Sequence, residues 1–254
     1  MIRSFVAGQL QVSIYRTRQE MGTAAAEAAA AEIRRLMGLQ EAVNIIFAAA
    51  PSQQEMLECF RSQDVDWSRV NAFHMDEYVG LPDEAPQRFG NFLKEIIFSH
   101  LPFRSVHYIN GNTANVNAEC DRYAALLRQF PADIVLLGIG ENGHLAFNDP
   151  PVADFSDPLL VKIVELDDDC RTQQVNDGCF ASFEDVPTHA ITLTIPALLQ
   201  GKSLYASVPG RTKIQAVYNT MNQVIASKYP STILRTHPNA SLYLDEISAS
   251  RLTD

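Results

Sequence analysis

The chain has 254 residues, 46% of them hydrophobic, which is enough to bury the core of one large α/β domain spanning residues 1–254. Twenty Lys and Arg stand against 30 Asp and Glu, and the net charge of -10 opposes attraction to nucleic-acid phosphates or an anionic membrane. Cys59, Cys120, Cys170 and Cys179 show neither Cys-x-x-Cys pairing nor zinc-site spacing, and no stretch reads as a signal peptide or membrane span, so the expectation is a cytoplasmic protein with reduced thiols.

Short apolar runs alternate with longer helical patterns along the chain, the mark of βαβ units and a mostly parallel sheet. Residues 11–15 read as a strand, 17–37 as an alanine-rich helix, 43–49 as a second strand and 52–61 as a helix. A third strand at 70–75, a helix at 89–99, a short strand at 106–109 and a helix at 115–128 follow. Residues 133–139 form the most apolar strand, a run suited to burial on both sheet faces. Pro150, Pro151 and Pro158, with Asp154, Ser156 and Asp157, mark a loop before an extended segment at 160–166. Residues 190–194 and 203–208 read as extended, a helix follows Gly210, and 241–245 closes the pattern. No internal repeat or change of composition marks a domain boundary.

In an open parallel sheet, ligands bind beyond the carboxyl ends of the strands. That rule selects Ala50-Pro51-Ser52-Gln53, Asp76-Glu77-Tyr78, the loop 138–150, and Val208-Pro209-Gly210-Arg211-Thr212-Lys213. Gly138-Ile139-Gly140-Glu141-Asn142-Gly143 is a literal G-x-G-x-x-G after a strand. A dinucleotide site is excluded, because its last glycine must enter a helix, which Pro150 and Pro151 forbid. The glycines instead form a tight loop presenting His144, flanked by Glu141, Asn142, Asn148 and Asp149. A histidine oriented by a carboxylate is suited to deliver and recover a proton near neutral pH. Asp76, at a strand end, reads by itself equally as a turn or capping acid. His74 lies within a strand pattern and His100 near a helix end, positions that favour core or capping roles, and Trp67 reads as core.

Two long segments carry a resemblance. Phe73-His74-Met75-Asp76-Glu77-Tyr78-Val79-Gly80-Leu81-Pro82 and Gly138-Ile139-Gly140-Glu141-Asn142-Gly143-His144-Leu145-Ala146-Phe147-Asn148-Asp149-Pro150 resemble the signature motifs of glucosamine-6-phosphate deaminases. Weaker matches at Asn110-Gly111-Asn112 with Glu119-Cys120, and at Pro209-Gly210 with Lys213, keep the family's order over most of the chain. The resemblance implies a Rossmann-like three-layer α/β/α fold with a mostly parallel sheet, shared with the more distant 6-phosphogluconolactonases. It assigns Asp76 as the base that moves a proton between carbon 2 and carbon 1, and His144 as the residue that assists ring opening. Asn142 and Asp149 orient that histidine and Lys213 reaches the phosphate, while Ser52, Gln53, Glu77, Gly140 and Gly143 complete the substrate site. It further implies a small-molecule sugar phosphate as the partner, no metal or organic cofactor, and a chain that is free to form a homo-oligomer.

Three departures bear on the substrate. The phosphate loop, usually rich in Gly, Thr and Ser, is here Ala48-Ala49-Ala50-Pro51-Ser52-Gln53-Gln54-Glu55, in which Pro51 lacks an amide hydrogen and Glu55 adds negative charge. Asn142 stands where some members have Asp, and Asp149 where most have Glu. A phosphate-binding arginine expected after the Pro150 loop has no counterpart in 173–180, although Arg171 lies just before. Arg88 stands where a serine is common, and we expect Arg88 or Arg211 to compensate through paired guanidinium hydrogen bonds. The rival expectations are a lactonase, in which His144 activates water, and a non-catalytic sugar-phosphate sensor.

Overall fold

The computed structural model describes residues 1–252. In chain order its regular elements are β1 (Arg3–Ala7), β2 (Leu10–Tyr15), α1 (Arg18–Met37), β3 (Val43–Phe47), α2 (Gln54–Phe60), β4 (Val70–His74) and β5 (Asp76–Tyr78). There follow α3 (Phe89–Leu93), which continues as a π-turn over Lys94–Phe98, β6 (Ser105–His107), α4 (Val116–Gln129), β7 (Ile134–Leu137), β8 (Val161–Glu165) and α5 (Asp168–Asn176). The last are β9 (His189–Leu193), α6 (Ile195–Leu199), β10 (Ser203–Val208), α7 (Ile214–Asn222) and β11 (Ala240–Asp245).

The main sheet has the order β1-β2-β11-β10-β7-β3-β4-β6. It is parallel from β2 to β6, and only the β1–β2 hairpin at its edge is antiparallel. This is the Rossmann-like α/β architecture with a mostly parallel sheet that the alternating pattern predicts. Side chains of the central strands alternate between two apolar clusters. Ile134 and Leu136 of β7 join the cluster beneath α1 and α2, whereas Val135 and Leu137 join that beneath α4, α6 and α7. Burial on both faces explains why β7 is uninterrupted hydrophobic sequence, and each such side chain contributes about 1.5–3 kcal/mol.

Local signals explain the helices. Thr17 caps α1 by accepting from the Glu20 amide at 3.1 Å, and Met21, Ala25, Ala29, Ile33 and Leu36 give the helix a buried stripe at helical spacing. Asn115 caps α4 in the same way through the Ala118 amide.

Four features differ from the sequence-based expectation. β1 is an edge strand with Val6 60% exposed, so its apolar pattern is weak. Residues 76–78 form not a turn but β5, which pairs antiparallel with β9, itself paired with β8, in a second sheet of order β5-β9-β8. The expected helix at 89–99 ends as an α-helix at Leu93 and passes into the π-turn. Finally, α5 forms where no element was expected, and Asp167 caps it by accepting from the Cys170 amide at 2.7 Å.

Candidate active site

The carboxyl ends of β3, β4, β7 and β10 open onto one cavity of about 390 Å³. Ala48 to Ser52 after β3, Met75 and Asp76 after β4, and Gly138 to Gly140 after β7 form its floor. Lys213 enters from the turn after β10, and His144, Ala146 and Phe147 come from the loop beyond Gly140. Pro86, Gln87, Phe89 and Phe92 form one wall, and Gln173, Gln174, Asp177 and Cys179, from α5 and the residues after it, form another.

The loop holding His144 is fixed by its own backbone. The Gly140 amide donates to the His144 carbonyl at 3.0 Å, and the His144 ring lies so close over Gly140 that a Cβ there would sit 2.2 Å from its Nε2. Only glycine fits. Gly143 adopts φ +91°, where glycine is unstrained, and the His144 amide donates to Asn142 Oδ1 at 3.0 Å. Ala146 also has positive φ, 51°, and the turn it makes places Phe147 so that its amide donates to Thr192 Oγ1 on β9. Asn148 Nδ2 bonds the Leu145 and Leu193 carbonyls, which ties the loop to the second sheet.

His144 Nδ1 lies 2.8 Å from Asp149 Oδ1, and Asn142 Nδ2 donates to that oxygen at 2.9 Å. Burial works to raise the Asp149 carboxyl, but the facing His144 and the hydrogen bonds from His144 and Asn142 outweigh it and hold the group below its ordinary value. The ionised Asp149 faces Nδ1, which leaves Nε2 as the nitrogen not engaged by a carboxylate in a ring that borders the cavity. His144, Asp149 and Cys170 have ligating atoms within 4.8 Å of one another, the one group of metal-ligand spacing among the described residues. Burial and the neighbouring Asp149 and Asp167 push the Cys170 thiol up, so a thiolate ligand is disfavoured there.

Asp76 opens β5 and borders the same cavity. It is 7% exposed, and its Oδ1 has no hydrogen-bond partner. Desolvation, with a smaller contribution from Glu77, raises its carboxyl well above the usual range. His74 supports this corner from inside the sheet. The Ile109 amide donates to its Nε2 at 2.9 Å, so Nδ1 carries the proton and donates to the Asp76 carbonyl at 2.8 Å. Burial lowers the His74 imidazole to about 4.

The other sequence-selected residues divide. Ser52, Gly140 and Lys213 border the cavity with Asp76 and His144. Asn142 and Asp149 stand behind His144. Gln53 is fully buried behind Gly138, its Nε2 donating to Ser52 Oγ and the Ser207 carbonyl. Gly143 likewise stays off the cavity and accepts from the Ser231 amide. Glu77 points into the protein, where its two oxygens accept from the amides of Tyr78, Phe89 and Gly90. These bonds hold the loop before α3 against β5.

Neither arginine expected to grip phosphate, Arg88 or Arg211, borders the cavity. Arg88 pairs with Asp83 and lies 3.8 Å from Glu77. Arg171 bonds the Phe183 and Val186 carbonyls and stacks 3.9 Å over the Phe183 ring. Arg211 is exposed and does not border the cavity. Lys213, by contrast, is 4% exposed and has no hydrogen-bond or ion-pair partner among the described residues. Burial lowers its ammonium pKa, against the pull of Asp177 and Glu141.

Sequence reasoning missed the α5 wall and the aromatic wall. Tyr78, Phe89 and Phe147 pack together with ring centroids 4.8–5.5 Å apart, and their spacing in sequence gives no hint of it. The capping acid Asp167 before Asp168 and Asp169 was the available signal for α5.

The family model for glucosamine-6-phosphate isomerases/6-phosphogluconolactonase matches residues 16–243. A glucosamine-6-phosphate deaminase of Bacillus thuringiensis (strain Al Hakam) is 34% identical over 241 residues, 95% of this chain and 88% of that one. The structure of a monomeric glucosamine-6-phosphate deaminase superposes with a TM-score of 0.84 at 26% identity, covering 94% of this chain and 98% of that one. A 6-phosphogluconolactonase of Thermotoga maritima superposes with a TM-score of 0.76 at 17% identity, covering 93% and 99%, a likeness of fold alone.

Proposed function

Since the chain belongs to the family of glucosamine-6-phosphate isomerases and 6-phosphogluconolactonases, we propose that it is an aldose–ketose isomerising deaminase that converts glucosamine 6-phosphate, or a close amino-sugar phosphate, to a ketose phosphate and ammonia. One observation carries this reading: a single cavity is bordered by both a buried, unpartnered carboxylate and an imidazole backed by a second carboxylate.

The two groups suit two different proton transfers. His144, with Nδ1 engaged by Asp149, uses Nε2 to move a proton at the ring oxygen and so opens the pyranose. Asp149, held ionised, stabilises the imidazolium formed on the way. Asp76 then removes the proton from carbon 2 and returns it to carbon 1 through an enolamine. Desolvation strengthens the Asp76 carboxylate as a base, because in water the ionised form would be stabilised. The C2 imine that results takes up water and expels ammonia, leaving the ketose. Lys213, a buried cation without a protein partner, receives the phosphate, with the Ser52 hydroxyl, which borders the same cavity, as a further donor.

Lactone hydrolysis needs no base for a carbon-bound proton, so it leaves Asp76 without a task. The relatives at 34% identity are named as deaminases, and the lactonase likeness is one of fold. Reducing cytoplasm is the setting we infer, since all four cysteines are free. No helix among the described residues is long and apolar enough to cross a membrane.

The test is ammonia release from glucosamine 6-phosphate and galactosamine 6-phosphate, with 6-phosphogluconolactone hydrolysis measured in parallel. Deamination that disappears in Asp76→Asn supports the reading. Hydrolysis of the lactone that survives in Asp76→Asn supports the lactonase, and binding of the sugar phosphates without turnover points to a sensor.

A further inference from the structure

Gln174 borders the cavity with no role in the chemistry above and no partner in the protein, and unlike Gln87, which is also unpartnered there, it is buried. It is 7% exposed, and neither its carboxamide oxygen nor its nitrogen makes a hydrogen bond among the described residues. Its neighbour Gln173 is fully occupied, accepting from the Glu141 amide at 2.7 Å and donating to Asp177 at 3.3 Å. A largely buried carboxamide with no protein partner is free to bond what enters the cavity.

Its place on α5 says what that is. Gln174 and Asp177 are three residues apart at the end of the helix, a spacing that puts them on one face, and both border the cavity. Asp177 is the leading acidic influence on Lys213. Gln174, Asp177 and Lys213 all line the same cavity. Elsewhere the anion-binding end is poor: the loop after β3 has no glycine, Pro51 has no amide hydrogen, and none of Arg88, Arg171 and Arg211 borders the cavity.

We propose that the Gln174 side-chain amide donates a hydrogen bond to the phosphate held by Lys213, a neutral donor standing in for a second cation at that end of the cavity. The inference rests on the reading of the cavity as a sugar-phosphate site. A neutral donor is compatible with Asp177 beside it, whereas a guanidinium in that place would be drawn into an ion pair with the aspartate.

The test is calorimetric binding of glucose 6-phosphate, a sugar phosphate without the leaving amine, to the full chain and to Gln174→Met, Gln174→Leu and Gln174→Glu. Methionine keeps the shape and removes the donor, and affinity is expected to fall about tenfold or more, as for a lost hydrogen bond to a charged group. Glutamate is expected to bind more weakly still, because it sets a second anion against the phosphate. The KM for glucosamine 6-phosphate should rise in parallel with kcat little changed. Wild-type affinity in Gln174→Met, or a glutamate variant that binds better than the leucine one, overturns the proposal, the second result indicating a sugar hydroxyl as the partner. A wild-type chain that neither binds glucose 6-phosphate nor releases ammonia overturns the sugar-phosphate reading itself, and the assignment of Gln174 with it.

Discussion

His144 Nδ1 and Asp149 Oδ1 stand 2.8 Å apart, and the same carboxylate oxygen also accepts from Asn142. Two neighbouring donors thus compensate for the shorter side chain at position 149, and the carboxylate still reaches the imidazole. Asn142, which carries no charge, serves the pair at both ends: its amide nitrogen holds Asp149, and its oxygen receives the His144 backbone amide.

Asp149→Asn should therefore lower kcat by about 10²–10⁴, the range for a displaced general acid–base system, while Asn142→Ala should cost less because it removes one support. The folded-state value of Asp149 is depressed from 3.8, so its contribution to stability is present above the ordinary carboxylate range and is lost as pH falls through the lower folded value. Thermal melts of wild type and Asp149→Asn should differ most at neutral pH and converge in strong acid. Parallel curves at all pH values would sink this account of the pair.

Asp76 has the opposite sign. Its folded-state value is raised, so between the ordinary value of 3.8 and the higher folded one the folded chain binds more protons than the unfolded. Stability due to Asp76 then falls as pH rises through that window. Asp76→Asn should melt at a higher temperature than wild type at neutral pH and yet lose about 10²–10⁴ in kcat. A variant less stable than wild type at neutral pH would contradict the buried, unpartnered state of the carboxylate.

Glu77 is adjacent in sequence and different in kind. Its three amide donors make it an anchor for the loop before α3. Gln is nearly isosteric but turns one acceptor into a donor facing a backbone N–H, so Glu77→Gln should destabilise the chain by about 1–3 kcal/mol in denaturant unfolding. Arg88→Ala should leave the KM for the sugar phosphate unchanged, since that guanidinium is held by Asp83 and stands beside Glu77. A large rise in KM would return Arg88 to the substrate site.

These contrasts mark what could be read before the fold was known. Asp76 and His144 were legible because each sits in a contiguous segment after an apolar strand, and the parallel sheet brings such ends together. Glu77 was not, because its direction depends on β5 pairing with β9, whose residues Ala190 to Thr192 lie far along the chain. Arg171 had no role assigned from sequence, and only the fold brings the Phe183 ring and two carbonyls to its guanidinium. The α5 wall was hidden for a third reason. Its cavity-facing side is polar, so the helix has no apolar stripe to announce it.

His74 gives the last prediction. It is fully buried, accepts from the Ile109 amide at Nε2 and donates from Nδ1 to the Asp76 carbonyl, an arrangement that only the neutral ring can satisfy. Its value is lowered to about 4 from 6.5, so between those limits the unfolded chain binds the additional proton and stability rises with pH. Read in the acid direction, His74 begins to cost stability as soon as pH drops below about 6.5, well before the carboxylates titrate. Nitrogen-15 NMR of the imidazole should show the Nδ1–H tautomer, unchanged from neutral pH down to the onset of acid unfolding. His74→Gln should flatten the fall in melting temperature between pH 6.5 and 4, at the expense of baseline stability. A His74 resonance that titrates near 6.5 in the folded chain would show that the ring is not locked beneath Asp76.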